Sequence, residues 1–150
     1  MNFNIQKYYN NYSQATTLAF FRLAFGLMMV FSIIRFASFG WIDKLYIQPQ
    51  FHFSYYGFEW VKPIGIYTYL IFLIAGISAF LLAIGYKYRF ASILFFLSFT
   101  YIELMDKTTY LNHYYFISII SFLLIFLPAN ATFSVDAYKN KALSFEKIPK

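Results

Sequence analysis

The sequence predicts an all-α integral membrane protein with about four transmembrane helices and a long aromatic outer loop between the first and the second. Three observations predict it. Of the 150 residues 61% are hydrophobic and the mean hydropathy is positive, well beyond the composition of a soluble domain. Four apolar stretches, at 18–39, 66–85, 88–105 and 111–127, approach the ~20 residues that a helix needs to cross a bilayer. Between Gly85 and Pro128 there is neither glycine nor proline, so local propensity permits one continuous helix. That helix would be roughly 60 Å long, about twice the hydrocarbon thickness, and the chain must turn back.

Taken in order, residues 1–17 form a polar segment, and the apolar run after them has no A-x-A cleavage site, so a retained first helix is expected rather than a signal peptide. That helix carries Arg22 and Arg35 about a turn from its ends, where long side chains snorkel to the head groups. The second stretch has no charge, and its Ala75, Ala79 and Ala83 recur every four residues, a small-residue stripe that lets a neighbouring helix approach closely. The third and fourth are separated by DKTTYLNH, whose Asp, Thr and Asn side chains can take over backbone hydrogen bonds at a turn. Pro128 stops the fourth, and residues 139–150 form a basic tail.

The net charge of +6 comes from basic residues scattered singly, with no patch that would bind nucleic acid; they read as topology signals. With four spans, Lys7, Lys87, Arg89, Lys139, Lys141, Lys147 and Lys150 share one side, against Lys44, Lys62 and Lys107 on the other. The positive-inside rule puts the first group in the cytoplasm, so the loop at 41–65 and the DKTTYLNH turn meet at the outer surface. The expected location is the cytoplasmic (inner) membrane, multi-pass, with the site facing the periplasm or exterior. Cysteine is absent and only His52 and His113 are histidines, so no metal site is expected.

The outer loop contains FHFSYYGFEW, six aromatics and a histidine in ten residues. It reads either as an aromatic belt at the water interface or as a re-entrant segment lining a pocket for a flat apolar ligand such as a quinone, with Glu59 and Lys62 as polar handles. In the turn, Glu103 stands four residues before Lys107, the spacing of an ion pair on a helix. The alternative is that Lys107 acts, when neutral, as a general base, although Glu103 and Asp106 favour its charged form. On a straight helix His113 lies about 120° from Lys107, and the two converge only if the chain turns between them.

The string LMDKTTYLNHYYFISIISFLLIFLPAN, followed by FSVDA, resembles the horizontally transferred transmembrane (HTTM) domain of the vitamin K-dependent gamma-carboxylase family, bacterial type. FHFSYYGFEWVKP is similar to the segment before the second span of those proteins, and the resemblance covers residues 18–138. It implies a lysine base that deprotonates vitamin K hydroquinone, after which O2 attack yields a strong base, a protein-bound glutamate loses its γ-proton and the carbanion captures CO2. Matched to this sequence the lysine is Lys107 and the histidine His113, with His52, Tyr55, Tyr56, Trp60 and Asn112 around the cofactor. The implied partners are the lipid bilayer, reduced vitamin K or another quinol, and a glutamate-containing protein or peptide, with no nucleic acid. Family members are several times longer, so the chain is expected to correspond to their N-terminal part and to need a C-terminal half or partner subunit. The competing reading is a small non-catalytic four-helix membrane protein that binds a quinone or serves a membrane redox complex. A transporter half is weaker, since no inverted repeat is evident.

Overall fold

A computed structural model describes residues 12–109, 111–140 and 147–149. Of the basic residues assigned to the inner side, Lys7, Lys141 and Lys150 lie outside the described residues, as does most of the segment 1–17. Among the described residues the regular structure is helical apart from one antiparallel pair of short strands, β1 (Tyr12–Gln14) with β2 (Lys147–Pro149), in the register Tyr12↔Pro149. The all-α class holds, and the short ladder, which propensity inside polar tails does not reveal, only joins the two ends of the described chain.

Four longer helices follow one another: α1 (Ala15–Ser38), α2 (Thr68–Ile84), α3 (Tyr88–Leu104) and α4 (Asn112–Phe126), with a short α5 (Val135–Lys139). Consecutive members pack against each other. Two are long and apolar enough to cross a membrane, Ala15–Ser38 and, with the 3₁₀ turn at its start, Gly65–Ile84. Asn112–Phe126 is a shorter apolar helix.

The alanine stripe lies where close packing requires it. Ala75, Ala79 and Ala83 are all buried on α2, and Gly26 of α1 comes so near that a Cβ built on it would meet Ala83 Cα at 2.7 Å. Gly85 ends α2 in the left-handed region, φ 67°, and Tyr86 N–H bonds back to the Leu81 carbonyl at 3.0 Å. Any side chain at Gly85 would also run into Ser134 and Arg22.

Arg22 departs from the expected snorkelling. It is 1% exposed and turned inward, donating from its guanidinium to the Ala129 carbonyl at 2.8 Å and to the Phe133 carbonyl at 2.5 Å. The reason is the segment after Pro128, which folds back under the bundle and presents carbonyls that need donors. Asp136 in that segment accepts from Lys87 N–H and Tyr88 N–H, both at 2.9 Å, so it caps α3 from a distant part of the chain. Ser134 caps α5, its hydroxyl oxygen accepting from Ala137 N–H at 3.0 Å.

The apolar core has two clusters. One joins Phe25, Met29, Ala79, Leu82, Phe95 and Leu124 near the Arg22 end. The other joins Ile42, Tyr46, Val61, Phe72, Ile102 and Met105, and so ties the long loop to the ends of α2 and α3.

Candidate functional site at the motif turn

The turn forms as the length argument requires. α3 ends at Leu104, a 3₁₀ turn spans Lys107–Thr109, and α4 begins at Asn112. Asp106 makes it: its carboxylate accepts from Thr108 N–H at 2.9 Å and Thr108 Oγ1 at 2.8 Å, while Thr109 Oγ1 donates to the Asp106 carbonyl at 2.9 Å. These are the local side-chain bonds that let a polar residue end a helix.

The aromatic loop is laced to this turn. Lys107 N–H donates to the Phe53 carbonyl at 2.9 Å, and Phe53 N–H reaches the Asp106 carboxylate at 3.4 Å. Lys107 Nζ lies over the Tyr55 ring, 5.3 Å from its centroid, a cation–π arrangement. Glu59 is held below the usual carboxylate range by its own and the Gly57 N–H groups, with the Lys107 charge contributing least. Two segments fifty residues apart in sequence thus form one unit around Lys107.

The helical ion pair is not what the structure builds. The turn carries Lys107 off the helix axis, and Glu103, 8% exposed, instead accepts a hydrogen bond from Ser118 of α4. Glu103 lines a chamber of about 30 Å³ with Ser32, Phe36, Tyr46, Phe72 and Tyr114, room for one water.

The other expected residues disperse. His52 is half-buried next to Phe53, and its Nε2 is buried with no hydrogen-bond partner among the described residues. Tyr56 is 96% exposed, and Trp60, 71% exposed, leans on Phe58 and Tyr101. Asn112 and His113 open α4 on its exposed face, with the His113 ring 4.7 Å from that of Tyr114.

Sequence reasoning missed a cleft of about 420 Å³ beside the turn, in the range of small-ligand sites and large enough for a flat ring. Phe36, Trp41, Tyr46, Thr108, Thr109 and Tyr114 contribute to its wall. Tyr46 belongs to a π-helical turn at Asp43–Ile47, and its hydroxyl lies 3.4 Å from Thr109 Oγ1. Burial pushes the Tyr46 phenol up to about 12, so it stays neutral. The signal available was WIDKLYI: on a helical turn its Trp, Ile, Leu and Tyr form a face, which marks an anchored segment rather than a free loop.

No solved structure matches the chain. Its residues 10–150, nearly the whole sequence, match the HTTM domain. With the DKTT turn, the laced aromatic loop and the capping FSVDA segment now placed, the chain belongs to the HTTM domain family, a domain of the vitamin K-dependent carboxylase family.

Proposed function

We propose that this chain is a membrane module of the vitamin K-dependent gamma-glutamyl carboxylase type, in which Lys107 is the base that accepts a proton from a hydroquinone at the outer face. The observation that carries this reading is the lacing of Lys107 to the aromatic loop, by its N–H to Phe53 and by its ammonium over Tyr55. Reduced vitamin K, or another quinol, supplies on reaction with O2 the basicity needed to take the γ-proton of a glutamyl residue, which CO2 then carboxylates. Lys107 presents the proton acceptor, and the Tyr55 ring face receives its ammonium once the proton has arrived. His113, at the first turn of α4, is the second proton carrier, and His52, Tyr56, Trp60 and Asn112 lie on the surrounding outer surface.

In this reading all four longer helices cross the cytoplasmic membrane, with both ends of the chain inside and the site facing the periplasm or exterior. α3 and α4, of 17 and 15 residues, span about 22–26 Å at 1.5 Å per residue, so they cross with local thinning or snorkelling. A glutamate-containing protein or peptide is the substrate, and a C-terminal half or partner subunit completes the enzyme. The second reading, a non-catalytic quinone-binding subunit, draws on the same Tyr55 contact, because a ring face under Lys107 favours a permanent cation.

Arginine separates the two, since it keeps the charge and does not deprotonate. In membranes carrying the chain together with the C-terminal half or partner subunit that completes it, supplied with quinol, O2, CO2 and a glutamyl peptide, Lys107→Arg is expected to insert normally and to lose carboxylation by a factor of about 10² to 10⁴. Carboxylation at the parent rate would make Lys107 a counter-ion and move the search to His113.

A further inference from the structure

The cleft beside the turn gathers rings from three separate parts of the chain: Phe36 from α1, Trp41 and Tyr46 from the segment after it, and Tyr114 from α4. Its oxygens come from Tyr46, Thr108 and Thr109. Both threonine hydroxyls give their protons to Asp106, to its carboxylate and its carbonyl, so each keeps acceptor lone pairs. Its charges are positive. Lys44 lines it, and the Arg35 guanidinium lies 5.7 Å from the Trp41 ring. The neighbouring acids are engaged elsewhere: Asp43 accepts the Tyr69 hydroxyl, Glu103, in the adjoining chamber, accepts that of Ser118, and Asp106 is committed to the turn.

Flat apolar walls suit a ring, acceptor oxygens suit its hydroxyls, and cations suit its electron-rich or anionic form. We propose that this cleft, rather than the aromatic loop, is the site that binds the ring of a hydroquinone-class ligand, with Trp41 and Tyr114 as its walls and Tyr46 and Thr109 as partners of a ring oxygen. The assignment rests on the proposed function for its ligand class. It departs from the expectation that Tyr56 and Trp60 hold the ring, and the exposure of those two side chains agrees with that departure: a site for a flat ligand needs walls on both faces, and they lie on the surface. The aromatic loop then serves as the support of Lys107, one residue before Thr108.

The chain has two tryptophans, one for each candidate location: Trp41 in the cleft and Trp60 on the loop. Quinones quench indole fluorescence at contact, so the pair forms an internal control. The protein in lipid nanodiscs, as Trp60→Phe and as Trp41→Phe, is titrated with 2-methyl-1,4-naphthoquinone. Saturable quenching of Trp41 is expected in the first variant, and only a linear collisional response of Trp60 in the second. Tyr46→Phe removes the phenol O–H that can donate to a quinone carbonyl, so adding it to Trp60→Phe is expected to raise the half-quenching concentration roughly fivefold, the effect of one lost hydrogen bond. Saturable quenching of Trp60 without that of Trp41, or of neither, overturns the assignment. The readout needs no turnover. If Trp41 fails to saturate while Lys107→Arg abolishes carboxylation, the cleft is wrong and the function stands; saturable Trp41 quenching with an active Lys107→Arg gives the reverse.

Discussion

Lys107, Tyr46 and Arg22 show how a side chain's role depends on what the fold sets against it. Lys107 was legible, because the DKTTYLNH cluster stood out between apolar runs and the charge count put it on the same face as the aromatic loop. What the sequence did not give was its partner, since i, i+4 spacing points to Glu103 only while the helix continues, and the helix ends between them at Leu104. Arg22 read as a snorkelling residue because its direction is decided by carbonyls more than a hundred residues away. Tyr46 read as part of a loop, yet it is buried and neutral up to about 12. That raised value carries a stability consequence with a definite sign. The contribution is complete below the unfolded value of about 10 and is withdrawn as pH rises through the folded value. Thermal unfolding in detergent should therefore show the parent losing stability relative to Tyr46→Phe between pH 10 and about 12. Parallel curves over that interval would remove the claim that burial holds the phenol neutral.

Among the elements, the contact of α1 with α2 sets the tightest steric limit. The alanine stripe on α2 was readable from its four-residue spacing, whereas its counterpart, Gly26, was not, because one glycine in an apolar run says nothing about which helix faces it. An alanine methyl at Gly26 meets Ala83 at under 3 Å, on backbone that cannot yield without moving the helices apart. At Gly76 the nearest atom is Ile33 Cγ2 at 3.6 Å, an ordinary contact. Gly26→Ala is expected to lower stability by about 1–3 kcal/mol, while Gly76→Ala is neutral or gains up to about 1 kcal/mol from helix propensity. Equal melting temperatures for the two variants in detergent would contradict this packing. The turn between α3 and α4 was legible for a different reason, the mismatch between a continuous helix and the bilayer. The capping of α3 by Asp136 was not, since nothing in FSVDA indicates that its acid serves a helix that starts 48 residues earlier.

At the scale of the whole molecule, the β1–β2 ladder puts both ends of the described chain together, and the loop and the turn meet at the far end of the bundle. Charge counting anticipated that meeting, while the enclosing cleft depends on side-chain directions that charge does not encode. The absence of cysteine makes the arrangement testable directly. Single cysteines at Ser54 and Thr109 are expected to react with an impermeant thiol reagent in intact cells and one at Lys139 is not; the reverse pattern would invert the protein. The central claim, that Lys107 works as a base within this unit, is tested most directly by chemical rescue. In the enzyme completed by its C-terminal half or partner subunit, Lys107→Ala leaves the space of the side chain open, so a small primary amine supplied with quinol, O2, CO2 and glutamyl peptide should restore part of the carboxylation. Rescue should grow with the concentration of the neutral amine and be absent with a guanidine of similar size, which stays protonated. Restoration by the guanidine equal to that by the amine would show that the site needs only a positive charge, and Lys107 would not be the base.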